Sequence, residues 1–182
     1  DKLVRTHLRD PKLHELDPSS GSVTTMTHHT LTVGGFKEKV DTAVRLVEAN
    51  GRTIIFTRTR EGAVELAEAL TGQGVDAVDL HGNLSQKVRE RNLHRFSTGA
   101  AQAVVATDVA ARGIHVDAVP CVVHFDPPED PKDFLHRSGR TGRAGEPGTV
   151  LTLVLRENAK AVKALQRELD LQMPFENEKV VS

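Results

Sequence analysis

The residues best suited to chemistry lie between His136 and Arg143, where eight consecutive residues include three arginines and two glycines. Arginine presents a planar, permanently charged fork of N–H groups that matches phosphate oxygens. Glycine lets the backbone approach a ligand closely and adopt unusual angles. A helix should end near Gly139, so Arg140 and Arg143 are expected to project from a turn. The segment predicts phosphate binding, and the alternative is a solvated basic loop.

A second polar segment, Ala106–Gly113, directly follows a short apolar run. Thr107 offers a hydroxyl group, and Asp108 is expected to cap the turn that follows. Backbone N–H groups at such a turn can bind an anion. Taken alone, however, a Thr-Asp pair before a helix is more typical of a helix cap than of a ligand site.

A third polar segment, His81–Arg89, contains Gly82 and a predicted helix that Ser85 caps. Gln86 and Arg89 are three residues apart and therefore share one helical face. Such a pair can hold a phosphate or a sugar, and the alternative is an ordinary exposed helix.

Composition narrows the classes of function. The 182-residue chain has a formal net charge of −1 and 3% aromatic residues, which argues against nucleic-acid binding through overall positive charge or extensive stacking. Its single cysteine, Cys121, excludes an internal disulfide framework and a multi-Cys zinc site, fits a cytoplasmic location, and is expected to be buried. No metal site is predicted, because His28 and His29 lack further ligands. No apolar run approaches the ~20 residues of a membrane span.

Strand and helix patterns alternate from about Val23 onward. Short apolar runs at 53–56, 103–106 and 121–123 indicate strands buried on both faces. Further strands are predicted at 23–33, 75–80 and 149–155, and helices at 37–49, 61–70, 85–96, 132–138 and 158–169. This order predicts an α/β fold with a mainly parallel sheet, whose ligands bind at the carboxyl ends of the strands. In the last helix, the stripe Ala161, Leu165 and Leu169 is expected to pack in the core.

Taken together, the segments from Val23 to Leu155 resemble the C-terminal RecA-like domain of bacterial DEAD-box ATP-dependent RNA helicases. Four stretches are similar to the family's motifs IV, Q-x-x-R, V and VI, respectively Ile54–Thr59, Gln86–Arg89, Ala106–Gly113 and His136–Arg143. Asp126-Pro127-Pro128, ahead of motif VI, is also familiar from this family. The resemblance implies a three-layer α/β/α RecA-like domain.

The resemblance also implies roles for individual residues. ATP is expected to bind between two RecA-like domains, with Arg140 and Arg143 as catalytic arginine fingers and with Gly113 and His115 also at the nucleotide. The ligands of Mg²⁺ are expected on the N-terminal domain, since this chain has no phosphate loop and no Asp-Glu-Ala-Asp. Domain coupling is assigned to His136, Arg137, Asp108 and Arg112, and contacts to the RNA backbone to Thr59, Gly82, Gln86, Arg89 and Thr107.

Three expectations concern the limits of the resemblance. Residues 1–22 are expected to be the end of the upstream domain and a linker, residues 23–172 the RecA-like domain, and 173–182 a loosely ordered tail. His115 replaces the usual Asp, which would weaken nucleotide binding or have no consequence. The isolated domain is expected to be inactive, with self-association through its cleft face as an open possibility.

Two alternatives to this function remain. One is a RecA-like protein-interaction module that has no ATPase role. The other is a helicase acting on DNA, which is disfavoured because motif VI begins with His136.

Overall fold

The computed structural model describes residues 25–112, 116, 118–142, 146–169 and 175–177. Strands and helices alternate along them, as the sequence predicted. In chain order, the elements are β1 (Thr25–Val33), α1 (Phe36–Asn50), β2 (Thr53–Phe56), α2 (Arg60–Gly72), β3 (Ala77–Leu80), α3 (Gln86–Ser97), β4 (Ala103–Ala106), α4 (Asp108–Arg112), β5 (Cys121–His124), α5 (Pro131–Ser138), β6 (Pro147–Leu155), a 3₁₀ turn (Arg156–Asn158), α6 (Ala159–Glu168) and β7 (Phe175–Asn177).

Within the described residues, the strands form one seven-stranded sheet in the order β3-β4-β2-β5-β6-β1-β7. Every strand pairing is parallel. The predicted parallel sheet is therefore confirmed.

Both faces of the sheet are covered, which explains the continuous apolar runs in the sequence. All four residues of β2, β4 and β5 are buried. Alternate side chains pack on opposite faces: Ile55 and Val105 lie in a core cluster with α1 and α2, whereas Ile54 and Val104 lie in another with α3 and α4. The three-layer α/β/α architecture follows, because strands enclosed on both sides need no polar alternation.

The connections leave the sheet on opposite faces, so a crevice opens at the carboxyl ends of its strands. The chain leaves β2 toward α2 on one face, and it leaves β4 toward α4 on the other. Since β2 and β4 are neighbours, their carboxyl ends form a topological switch point, where α/β proteins bind ligands.

Two details differ from the sequence prediction. The short strand β7 pairs with β1 inside the segment for which we expected a loosely ordered tail. In α6, Ala161 is exposed and Val162 is buried, so the predicted core position of Ala161 is wrong. Val162 is bulkier and precedes Leu165 by three residues, so it forms an equivalent helical stripe with Leu165 and Leu169.

Cys121 is fully buried, as predicted, and burial raises the pKa of its thiol to about 12. The thiol is therefore protonated and unreactive at neutral pH. In the described ranges, no helix combines the length and apolarity required to cross a membrane.

His28 makes the fold sensitive to acid. It lies in β1 at 2% exposure, and neither ring nitrogen has a hydrogen-bond partner in the described part of the chain. Burial and, to a smaller extent, the nearby His29 lower the pKa of His28 from 6.5 to about 3. As the pH falls from 6.5 toward 3, the unfolded chain gains a proton on this ring and the folded chain does not. The free energy of unfolding therefore decreases by about 1.4 kcal/mol for each unit by which the pH falls within this range.

Replacing His28 with Phe should reduce this acid sensitivity. Between pH 7.5 and pH 5, we expect the free energy of unfolding to fall by about 2 kcal/mol less in His28→Phe than in the native chain. Urea unfolding at both pH values measures the difference. His94→Ala, at an exposed histidine, is the control and should behave like the native chain. Equal acid losses for His28→Phe and the native chain would contradict this account.

Candidate functional site

The central feature of the crevice is a buried ion pair between Arg137 and Asp108. Arg137 Nε and Nη2 donate to the two carboxylate oxygens of Asp108 at 2.7 and 2.8 Å. The Arg137 side chain is 3% exposed and that of Asp108 is 27% exposed. The two carboxylate oxygens thus bind α5 to α4, so the predicted cap at Asp108 is wrong: α4 begins at Asp108, and its carboxylate binds Arg137.

The remaining nitrogen of the Arg137 guanidinium, Nη1, faces the end of β5. Arg137 Nη1 donates to the backbone oxygen of Asp126 at 2.7 Å and lies 3.3 Å from Nδ1 of His124. Burial, followed by the Arg137 guanidinium and by His28, lowers the pKa of His124 well below its ordinary value. The imidazole is therefore neutral, and Nδ1 accepts a hydrogen bond from the guanidinium.

Asp126 connects this network to the end of β2. Its carboxylate accepts the backbone N–H of Arg58 at 2.8 Å and forms a salt bridge of 3.4 Å with the nearly buried Nζ of Lys39. Lys39 Nζ also donates to the backbone oxygen of Phe125. Burial lowers the pKa of Lys39, although the nearby Asp126 opposes this effect. These contacts fix the two loops that follow β2 and β5 relative to each other.

Arg140 lies on a turn directly after α5, as predicted. The helix ends at Ser138, with Gly139 as its C-cap. Gly142 has a φ of +69°, a conformation that favours glycine. Half-buried Arg140 donates from Nη2 to the backbone oxygen of Ala111 at 2.6 Å, so its guanidinium lies at the end of α4.

The crevice beside Arg140 carries both positive and negative groups. Arg112, with 62% of its side chain exposed, pairs with Asp133 at 3.3 Å, and His136 is exposed. The lining consists of Phe56, Asp108, Ala111, Arg112, Asp133, His136, Arg137 and Arg140. Arg112 and Arg140 place two guanidinium groups at this crevice, and such groups can donate hydrogen bonds to anionic oxygens.

Three of the five residues predicted to bind RNA lie just after the ends of three neighbouring strands. Thr59, Gly82 and Thr107 follow β2, β3 and β4, which are adjacent in the sheet. Thr59 caps α2 by accepting the N–H of Gly62 at 2.9 Å, and its hydroxyl hydrogen is left to donate. The Gly82 amide and the Thr107 hydroxyl have no hydrogen-bond partner in the described part of the chain. This edge therefore presents several donors of the kind that bind phosphate.

Gln86 and Arg89 begin α3, whose start Ser85 caps as predicted. Gln86 Nε2 donates to Glu90 at 3.2 Å. Arg89 is half-buried and forms no ion pair within the described ranges. The shared helical face of the two residues is confirmed.

Three predicted site residues, Gly113, His115 and Arg143, lie outside the described residues. So do residues 1–22 and most of the predicted tail. Among the residues that the structure does describe, no group of three His, Cys, Asp or Glu side chains is arranged to hold a metal ion.

Neither His124 nor Lys39 was expected from the sequence to have a role in the site. Both are buried polar residues in contact with the network around Arg137 and Asp126. The available signal for His124 was a polar residue adjoining the apolar run 121–123. Lys39 gave no signal, because lysine is common on exposed helix faces.

Fold and site together define a RecA-like domain with an arginine-lined crevice at a topological switch point. Residues 38–145 match the family described as helicase conserved C-terminal domain. The chain belongs to this family, and it is a C-terminal RecA-like domain of the DEAD-box kind.

Relatives and solved structures agree with this assignment. The DEAD-box ATP-dependent RNA helicase CshA of Geobacillus kaustophilus (strain HTA426) is 39% identical over 155 residues, which cover 84% of this chain and 33% of the relative. The chain spans about a third of the length of the curated relatives it matches.

Among solved structures, the C-terminal domain of the DEAD-box protein Dbp5 has a TM-score of 0.77 and 29% identity, covering 88% of this chain and 98% of that one. S. cerevisiae Dbp5 bound to RNA and ADP BeF3 has a TM-score of 0.74 and 28% identity, covering 87% of this chain and 44% of that one.

Proposed function

We propose that this chain is the second motor domain of an ATP-dependent RNA helicase and is inactive without a first RecA-like domain. The observation that carries the proposal is Arg140, which projects from a glycine-bounded turn into the crevice at the carboxyl edge of the sheet. Arg140 and Arg143 act as arginine fingers that stabilise charge on the transferring phosphoryl group of ATP. The first domain supplies the phosphate loop and the Mg²⁺ ligands. Gly113 and His115 contribute to the nucleotide site.

Domain coupling involves His136 and Arg112, which are exposed beside the crevice. Arg137 and Asp108 are paired with each other, so they act on the first domain indirectly, by fixing α4 and α5. Because ATP and RNA each contact both domains, each ligand favours the closed arrangement and raises the affinity for the other by the same factor.

RNA binds along the ends of β2, β3 and β4. The donors of Thr59, Gly82 and Thr107, with Gln86 and Arg89, contact phosphate and 2′-hydroxyl groups, so binding has little sequence preference. A few aimed donors are sufficient, and this agrees with the net charge of −1. The Dbp5 structure bound to RNA and ADP BeF3 supports the same pair of ligands for this chain.

Substitution of Arg89 tests the RNA-binding assignment in the full-length protein. We expect Arg89→Ala to weaken binding equally for RNAs of different sequence, and the slope of log affinity against log salt to fall by about 0.7 to 1. Fluorescence anisotropy over a salt series measures both quantities.

Arg91→Ala is the matched control, because Arg91 is exposed on a different face of α3. It should bind RNA as the unmodified protein does. Identical losses in the two variants would contradict the assignment of Arg89.

A further inference from the structure

We propose that His124 is a positioning residue for ATP hydrolysis, which holds Arg137 and the end of α5 in the arrangement from which Arg140 reaches the nucleotide. The inference rests on the proposed function and goes beyond it, because His124 belongs to none of the four motifs.

His124 contacts the last two residues of α5, Arg137 and Ser138. The side chain is at 0% exposure at the carboxyl end of β5. Its Nδ1 lies 3.3 Å from Nη1 of Arg137, and its Nε2 lies 3.3 Å from the hydroxyl oxygen of Ser138. Since guanidinium has only donors, Nδ1 accepts, the ring proton is on Nε2, and Nε2 donates to Ser138.

The first of these hydrogen bonds gives Arg137 Nη1 its second acceptor. Nη1 carries two hydrogens, of which one is donated to the backbone oxygen of Asp126 and the other to His124. Without His124, one N–H of the buried Arg137 guanidinium would lack an acceptor. The guanidinium would then move toward another acceptor. Because Ser138 is two residues before Arg140, such a shift moves the start of the turn that carries Arg140.

The imidazole itself is held by aromatic rings. It stacks on Phe134 at a centroid distance of 4.7 Å and on Phe56 at 6.5 Å, with interplanar angles of 15° and 27°. The guanidinium carbon of Arg137 lies 5.2 Å from the centre of the Phe56 ring. The packing therefore fixes the plane of the His124 ring, and with it the direction of Nδ1.

The test is RNA-stimulated ATPase activity of the full-length protein with substitutions at His124. His124→Phe keeps a stacked ring and removes the acceptor, and we expect kcat to fall about tenfold with a smaller change in KM for ATP. His28→Phe is the matched control: His28 also stacks on Phe134, at 5.9 Å, but its ring nitrogens form no hydrogen bond in the described part of the chain. This control should leave kcat unchanged.

A second pair of variants keeps the test valid if His124→Phe does not fold. Asn and Leu have similar shapes, and only Asn carries an acceptor. We expect His124→Asn to retain a kcat about tenfold above that of His124→Leu. Equal kcat values for this pair would overturn the proposal.

A double-mutant cycle separates positioning from general stability. Arg137→Lys removes the fork that His124 orients, so His124→Phe should cost nothing further in that background. An equal tenfold loss in both backgrounds, or an unchanged kcat for His124→Phe alone, would overturn the proposal. If Arg140→Ala also hydrolyses ATP normally, the proposed function itself has failed. If only the His124 variants retain full activity, the failure is confined to this inference.

Discussion

Arg140→Ala in the full-length protein is expected to abolish ATP turnover, with kcat lowered by about 10³-fold or more, while the domain stays folded. The reason is that an arginine finger stabilises charge that develops only in the transition state of phosphoryl transfer. The turn itself should persist, since its backbone is held by hydrogen bonds such as that from Val119 N–H to the Arg140 oxygen, 3.2 Å, which no side-chain change removes. Phosphate release at saturating RNA, with a thermal melt of each variant, measures both outcomes.

Two further variants test whether the loss is specific to the guanidinium of Arg140. Arg140→Lys keeps the charge and loses the planar fork, so it should also be severely impaired. Arg156→Ala removes an exposed arginine on the 3₁₀ turn outside the crevice and should turn over ATP normally. Normal turnover by Arg140→Ala would refute the assignment of Arg140.

Asp108→Ala is expected to lower the free energy of unfolding more than any other single substitution proposed above. It leaves the Arg137 guanidinium, 3% exposed, without its counterion, and breaking a buried pair in this way costs about 3 to 5 kcal/mol. Urea unfolding of the chain at pH 7 measures the loss. The double variant Asp108→Ala with Arg137→Met should recover much of it, because both charges are then gone.

The pair Arg112–Asp133, whose guanidinium is exposed, is the control for this prediction. Its side chains are 62% and 30% exposed, so Asp133→Ala should cost less than about 1 kcal/mol. Similar losses for Asp108→Ala and Asp133→Ala would show that burial of the guanidinium does not matter.

The central strands could be predicted from the sequence almost to the residue. Their apolar runs are continuous because helices cover both faces of the sheet, and each run ends where the chain reaches the polar carboxyl edge. The turn at Gly139 was equally predictable, since it depends on local backbone freedom. The exposed position of Ala161 was not, because Ala161 and Val162 both fit a helical stripe and only packing chooses between them.

The burial of Arg137 could not be predicted in the same way. In the sequence it resembles Arg140, three residues later, and both carry the same charge. The difference comes from Asp108, 29 residues earlier, which the order β4-β2-β5 brings opposite α5. A pairing of this kind depends on tertiary structure, as does the role of His124.

The most direct measurement is a crystal structure of the full-length protein with RNA and a non-hydrolysable ATP analogue. We expect the Arg140 guanidinium to lie within about 3 Å of a phosphate oxygen of the analogue, with the Asp108–Arg137 pair intact. An Arg140 side chain that still binds only within its own domain, with the nucleotide out of reach, would contradict this expectation.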